Sequence, residues 1–439
     1  MRIMRCIACA ALVVFQLASS ILAIAAVTPG DVITNENAST VADLVSPGNF
    51  VLVEQGMRMT IVPTGRLDWP PPYKAATEKY SSQVTLNAKG ELQKYVAGLP
   101  FPFIDLNDPQ AANKIVWNFS YGPQTADFIH ARNIETTSYR DVGPPGSFLS
   151  KILPAELFHS TAAHLVVYNL VGRTELPPVP TDPNSLKTGV RSRFYLGPIL
   201  EGGGAFLRYR YIDPNRDDAA WYYALGRVSA NMLSTSTGTT ILDPDSYGGF
   251  GAKIEDFNYR LLGLRQMLAS VRAEHSPETP CPFDNDRSIC PENWELRQLY
   301  VIEATQKPSL MPHKLARNGE TIPKRILYID SEAWFITASD QYDNDGDLWK
   351  TLAIFNAYRD RGMPTAREAV YPFNRMIQTA IVDEDIRTGF STVSYMPGKE
   401  SEEREGWYID PGAAPLSSAS TSSIVNRPAA ITRPAATAR

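Results

Sequence analysis

The strongest constraint on this chain is a set of β-rich runs between Trp294 and Tyr358, joined by turns too short to cross a sheet. Glu295–Thr305 (ELRQLYVIEAT) is rich in β-branched and aromatic residues and partly alternating. A polar stretch from Gln306 to Pro323 follows. Then come Arg325–Ile329 (RILYI), Trp334–Tyr342 (WFITASDQY) and Leu348–Tyr358 (LWKTLAIFNAY). Only Asp330-Ser-Glu-Ala333 and Asp343-Asn-Asp-Gly-Asp347 separate the last three. Parallel neighbours need a connection of about a dozen residues or more, so this spacing predicts an antiparallel meander.

The same grammar recurs upstream. Ala205–Ile212 (AFLRYRYI), a polar turn over Asp213–Asp218 and Ala220–Val228 (AWYYALGRV) predict a second hairpin. Alternation sorts its faces: Phe206, Arg208 and Arg210 on one, Leu207, Tyr209 and Tyr211 on the other. On the returning strand Trp221, Tyr223 and Leu225 share a face. A sheet with one polar and one aromatic face buries the latter against a helix, a second sheet or an apolar ligand.

Helical signals are few. Lys253–Val271 is the best, because Ile254, Phe257, Leu261, Leu264 and Leu268 step by three and four. Shorter candidates lie at Val41–Leu44, Asp108–Val116 and Phe148–Leu157. Abundant proline (34 residues) and aromatics (20 Tyr, 17 Phe, 7 Trp) favour short strands and long loops. The expected fold is mostly β (α+β): a large antiparallel sheet with a few covering helices. At 44% hydrophobic and 20% charged over 439 residues, the chain is neither disordered, collagen-like nor a multi-span membrane protein. A net charge of −5 argues against a surface built for nucleic acid.

Both ends stand apart. Arg2 and Arg5 precede an uncharged apolar run from Cys6 to Ala26, and Ala23-Ile-Ala25 fits a small-x-small cleavage site. Residues 1–26 therefore read as a secretory signal peptide; the alternative is an uncleaved anchor just long enough to span a bilayer. Nothing later is apolar enough for a transmembrane segment, so the mature chain is expected to lack one. Residues 413–439 are Ala, Ser, Thr and Pro with few large apolar side chains, as in a disordered tail. Between them, 27–412 reads as one domain. In an exported chain the remaining cysteines, Cys281 and Cys290, read as one disulfide; a two-Cys metal site is the weaker alternative.

Motifs for catalysis are absent: no G-x-S-x-G elbow, P-loop, G-x-G-x-x-G fingerprint or H-E-x-x-H occurs. Glu201-Gly-Gly-Gly-Ala205 and Tyr247-Gly-Gly-Phe-Gly251 read as flexible loops. His159 and His164 stand at i and i+5, a poor spacing for one metal on a helix. Asp343, Asp345 and Asp347 alternate, but Gln341 and Leu352 fall where a calcium loop needs acids. A hairpin turn explains them better. No catalytic residue, metal or cofactor is predicted.

Several stretches together resemble the bacterial family called domain of unknown function 1329, itself similar to the outer-membrane lipoprotein-sorting (LolA-like) proteins. They are Gly30–Thr34 (GDVIT), Gly98–Asp105 (GLPFPFID), Asp108–Asn118 (DPQAANKIVWN), Phe206–Val228, Lys253–Phe257 and Leu296–Arg361. The resemblance covers most of the mature chain and rests on the order and spacing of these pieces. It implies a curved antiparallel half-barrel with helices over its concave face, and a hollow that in the sorting proteins shelters acyl chains. It also implies a Gram-negative source, a periplasmic location and a link to envelope transport. It carries no catalytic residues. The tail and the Cys281–Cys290 loop have no counterpart in it.

Three functions follow. The first is a periplasmic, non-catalytic carrier for a lipid or other hydrophobic molecule, partnered by an envelope transporter or outer-membrane protein. In it Leu207, Tyr209, Tyr211, Trp221, Tyr223 and Leu225 line or flank a hollow, although ordinary core packing explains each residue alone. The second is an envelope structural or interaction protein with a filled core, marked by the lack of a cavity of roughly 300 Å³ or more. The third is an envelope hydrolase, which needs acids and His in one cleft, for example His159 with Asp340 or Glu303.

Overall fold

The structure, a computed structural model, describes residues 27–142, 156–181, 186–196, 204–224, 227–230, 247–273, 290–307, 322–359, 373–395 and 406–408. The N-terminal part contributes β1 (Val32–Ile33), α1 (Pro47–Glu54), β2 (Met59–Ile61), α2 (Pro71–Tyr80), the hairpin β3 (Thr85–Leu86) and β4 (Leu92–Gln93), and α3 (Ala111–Ser120). A first run of strands follows: β5 (Phe128–Arg140), β6 (Glu156–Asn169), β7 (Leu186–Leu196), β8 (Gly204–Tyr211), β9 (Ala219–Ala224) and β10 (Arg227–Ala230). The second run is β11 (Phe257–Ala269), β12 (Glu292–Gln306), β13 (Lys324–Asp330), β14 (Ile336–Tyr342), β15 (Leu348–Arg359), β16 (Arg375–Asp385), β17 (Phe390–Tyr395) and β18 (Gly406–Tyr408).

Apart from the β3–β4 hairpin, these strands form one sheet, ordered β1-β2-β12-β13-β14-β15-β16-β17-β5-β6-β7-β8-β9-β10, with β11 also on β12 and β18 on β5. The predicted meander is present: β12, β13, β14 and β15 pair antiparallel in turn. Its turns are closed by aspartates. Asp330 Oδ1 accepts from the N–H of Glu332 (2.9 Å) and Ala333 (2.7 Å). Asp343 Oδ1 accepts from the N–H of Asp345 and Asp347, each at 3.0 Å, ahead of Gly346 at φ +88°. The second meander, β5 to β10, joins the first where β17 pairs antiparallel with β5.

The sheet curls around α3. Phe257 of β11, Ile302 of β12, Ile354 of β15 and Leu165 of β6 share one apolar cluster with Ile115, Trp117 and Phe119 of α3. The sheet stays open, since among the described residues β10 pairs only with β9. Helix α1 covers the other face: on β15, Leu352 and Ile354 face the α3 cluster, whereas Ala353 and Phe355 pack with Leu52 and Val53. Burial on both faces accounts for the run LAIF, where simple alternation fades. Among the described residues no helix is long and apolar enough to cross a membrane.

The helix expected over Lys253–Val271 is instead a 3-10 turn at Ile254–Asp256 followed by β11. The strand pairs with β12 from Phe257↔Gln306 to Ala269↔Glu295, with a bulge between Leu261 and Gly263. Residues on one face of an unbroken strand differ by two; a bulge inserts one extra residue. Phe257, Leu261, Leu264 and Leu268 therefore all face one side, opposite Gln306, Ile302, Tyr300 and Leu296. The 4-3-4 spacing that imitates a helix is a period-two stripe with one insertion.

Other boundaries also move. The expected single strand over Ala220–Val228 is two, β9 and β10, which pair with each other. In place of a helix at Val41–Leu44 there is a 3-10 turn at Ala38–Val41, and α1 begins at Pro47 behind its cap, Ser46, whose Oγ accepts from Asn49 N–H (3.0 Å). Helix α3 starts at Ala111 because Asp108 first closes a turn, accepting from Gln110 N–H (2.7 Å). Helix α2 was unforeseen; its prolines 71 and 72 occupy the first turn, where no N–H partner is needed. Of the helix expected over Phe148–Leu157, residues 148–155 lie outside the described residues, and Glu156 and Leu157 open β6.

Candidate functional site

Between α3 and the inner face of the sheet lies a cavity of about 230 Å³. One part of its wall is aliphatic: Ile129 and Ile134 of β5, Leu165 and Val167 of β6, Ile336 of β14 and Ile354 of β15. Aromatic side chains close another side. Tyr121 follows α3, and its ring lies 4.1 Å from that of Tyr95 and 6.1 Å, stacked, from that of Trp117. Tyr73 of α2 donates to the Tyr121 carbonyl (2.6 Å), and Tyr95 donates to the Gly98 carbonyl (2.9 Å). Burial raises the phenol pKa of Tyr73, Tyr95, Tyr121 and Tyr247, so these hydroxyls stay protonated.

A glycine-rich cover, residues 247–254, crosses the cavity. Gly249 has φ +81°, and a Cβ there would sit 2.4 Å from Ile354 Cδ1. Only glycine suits that approach. Polar contacts hold the cover. Gly248 N–H donates to Gln378 Oε1 (2.9 Å), and Arg208 Nη1 donates to the Gly251 carbonyl (3.2 Å). Arg210 donates to the carbonyls of Gly251 (2.8 Å) and Ala252 (3.3 Å) while pairing with Asp218 (2.8 Å). Lys253 Nζ reaches the carbonyls of Pro214 (2.8 Å) and Arg216 (2.9 Å). Burial pushes the Asp218 carboxyl up, but the Arg210 guanidinium outweighs it and holds the pKa below its usual value.

One wall is basic. Lys187, Arg208 and Arg210 line the cavity against a single carboxylate among the described lining residues, Asp127. That carboxylate is already engaged, accepting from the N–H groups of Thr174 (3.0 Å), Glu175 (2.8 Å) and Leu176 (2.7 Å). Lys187 Nζ lies 4.7 Å from the Trp117 ring centre and 4.9 Å from that of Tyr121, a cation–π arrangement. Burial lowers its pKa to about 8.

The residues expected to line the hollow are placed elsewhere. Leu207, Tyr209, Tyr211 and Trp221 do come together, in a cluster with Leu170 and Leu186, with the Tyr209 and Trp221 rings edge to face at 5.4 Å. None of them lines the cavity; the alternate residues of β8, Arg208 and Arg210, do. Tyr223 stands opposite Ala205 and Val228 in the register, its side chain outside the described residues, as is all of Leu225. The pattern in AFLRYRYI separated the two faces correctly, but polarity pointed to the wrong inner one. Arginine stems tolerate an apolar wall while their heads bind backbone. Lys187 carried no sequence signal, because a single lysine in a strand reads as surface.

The acid and imidazole groups considered for hydrolysis do not gather. Glu303 pairs with Arg260 across β12 and β11 (3.0 Å). Asp340 is buried on β14 with hydroxyl and N–H partners. His159 lies on β6, five strands along the sheet from β14, or about 24 Å at the usual strand spacing. Buried Cys290 has its Sγ 2.9 Å from the Tyr395 hydroxyl, whereas Cys281 lies outside the described residues.

Residues 32–404 match the family described as "Protein of unknown function (DUF1329)". The chain belongs to the DUF1329 family. A domain assigned to the outer membrane lipoprotein-sorting proteins, from Vibrio parahaemolyticus, is 14% identical with a TM-score of 0.40, over 65% of this chain and 89% of that one. A DUF1329 family protein from Desulfovibrio piger is 14% identical with a TM-score of 0.37, over 67% and 89%. A LolA superfamily protein from Nitrosomonas europaea is 14% identical with a TM-score of 0.31, over 64% and 88%. Comparison with the curated proteins finds no match.

Proposed function

We propose that this protein is a non-catalytic periplasmic carrier for a lipid or other hydrophobic molecule. The observation that carries the reading is the cavity: aliphatic and aromatic walls beneath a glycine-rich cover, with neither His nor Cys among the described lining residues. Such a site serves burial of an apolar group rather than proton transfer. In this reading residues 1–26 are removed on export, 27–412 form the working unit, and Cys281 pairs with Cys290. Transfer to or from an envelope transporter or outer-membrane protein completes the role.

A second reading, a structural or interaction protein of the envelope, draws on one observation. The cavity, about 230 Å³, is smaller than the roughly 300 Å³ at which ligand pockets begin. Native mass spectrometry with lipid extraction on protein purified from its own periplasm separates the two. A stoichiometric hydrophobic adduct supports the carrier. An adduct-free mature mass, repeated after incubation with envelope lipids, sinks it in favour of the second reading. The same spectrum tests the disulfide through a mass 2 Da below that of the reduced chain.

A further inference from the structure

The carrier reading leaves open what kind of molecule the cavity takes, and Lys187 bears on it. Its ammonium lies against the Trp117 and Tyr121 rings and, among the described residues, makes no hydrogen bond or ion pair. Of the neighbouring charges, Arg210 is committed to Asp218 and the cover, and Asp127 to three backbone N–H groups; the Glu255 carboxylate acts on the ammonium through space and offsets part of its burial, without a hydrogen bond or ion pair to it. Leu165, Val167, Ile129 and Ile254 supply an apolar part of the same space. A cation held over aromatic faces is partly compensated, yet an ammonium withdrawn from water without a directly paired anion still destabilises.

We propose that the cavity takes a single-chain amphiphile with an anionic head, and that Lys187 Nζ is the ion-pair partner of that head. The chain lies along the aliphatic wall, and the head meets the ammonium at the aromatic end. A carboxylate or a phosphate satisfies the same chemistry. The inference deepens the carrier reading and rests on it.

The test is titration calorimetry on the delipidated mature protein at pH 7 with three ten-carbon probes: decanoate, decyl phosphate and uncharged decan-1-ol. At least one anion is expected to bind tenfold or more tighter than decan-1-ol, as charge-assisted pairing in a buried site allows, and the tighter anion identifies the head. Lys187→Met removes that preference, and a cooperative thermal melt shows that the variant folds; Lys187→Arg keeps part of it. In the wild type the preference for decanoate fades between pH 7 and 9.5 as Lys187 titrates near 8. The charged groups around it are Arg208, Arg210, Asp127, Asp218 and Glu255; against burial, the Arg210 guanidinium holds the Asp218 pKa below its usual value, and burial keeps Tyr121 protonated. Equal binding of all three probes to the wild type overturns the inference while the carrier reading stands. So does a preference that survives Lys187→Met or is insensitive to pH. If none of the three binds, the carrier reading falls as well.

Discussion

The carboxylate of Asp340, in the middle of β14, accepts a hydrogen bond from the backbone N–H of Gly48 (3.2 Å) in the first turn of α1. Thr351 (2.8 Å), Ser46 (3.3 Å) and Tyr328 (3.3 Å) donate hydroxyls to the same group. A helix N-terminus thus docks on a buried acid two strands from β12. The approach is close enough that a Cβ on Gly48 would lie 1.9 Å from Thr351 Oγ1.

Asp340→Ala leaves these four donors without their acceptor and is expected to lower stability by about 2–4 kcal/mol; Asp340→Asn costs less. Burial raises the Asp340 pKa to about 6, against its hydrogen bonds. Between the ordinary carboxylate value and 6 the folded state binds more protons than the unfolded one. This group's contribution is therefore full below about pH 4 and lost as pH rises through 6. Urea unfolding at pH 4 to 7.5 checks it: the difference in stability between wild type and Asp340→Asn should change with pH across that window.

Gly249→Ala forces a side chain into a left-handed backbone position against Ile354 and Ile336. The expected cost is about 2–4 kcal/mol, concentrated in the cover. Hydrogen exchange should show faster exchange over residues 247–254 than in β14 and β15. Uniform protection across all three segments would contradict the role given to this glycine.

Lys187→Met is expected to stabilise the ligand-free protein by about 1–2 kcal/mol at pH 7. The lysine binds its proton more weakly folded than unfolded, near 8 against 10.5. Its penalty is thus full below pH 8 and fades as pH rises to 10.5. Thermal melts of the two proteins should converge over that interval.

Tyr209→Ala opens the cluster around Leu170, Leu186 and Trp221 and is expected to cost about 3 kcal/mol. Because this cluster is separate from the cavity wall, decanoate affinity should stay within about twofold of wild type. A larger loss of affinity would mean that the aromatic face of β8 takes part in binding after all.

Much of the fold is legible locally. Strand lengths, the Asp330 and Asp343 turns and the antiparallel sense of β12 to β15 follow from side-chain period and connection length. Both act over a few residues, and no distant contact is needed to read them. The bulge in β11 shows where such reading breaks down. One inserted residue, with Gly263 at φ +148°, turns a strand stripe into helical spacing, and only pairing with β12 distinguishes them. The pairing of β17 with β5, which joins segments far apart in sequence, leaves no mark in either.

The site was the least legible part. Alternation states that the two faces of β8 differ; it does not state which one looks inward. That depends on where α3 sits and on what covers the back of the sheet. Arginines 208 and 210 face the cavity because the cover offers their heads backbone carbonyls. Tyr209 and Trp221 face away because Leu170 and Leu186 pack against them. Sequence by itself determined the two-sided strands and the turns, since these depend on neighbours along the chain. The tertiary structure alone decided which side encloses space and that Lys187 points into it, since enclosure is a property of elements far apart in sequence.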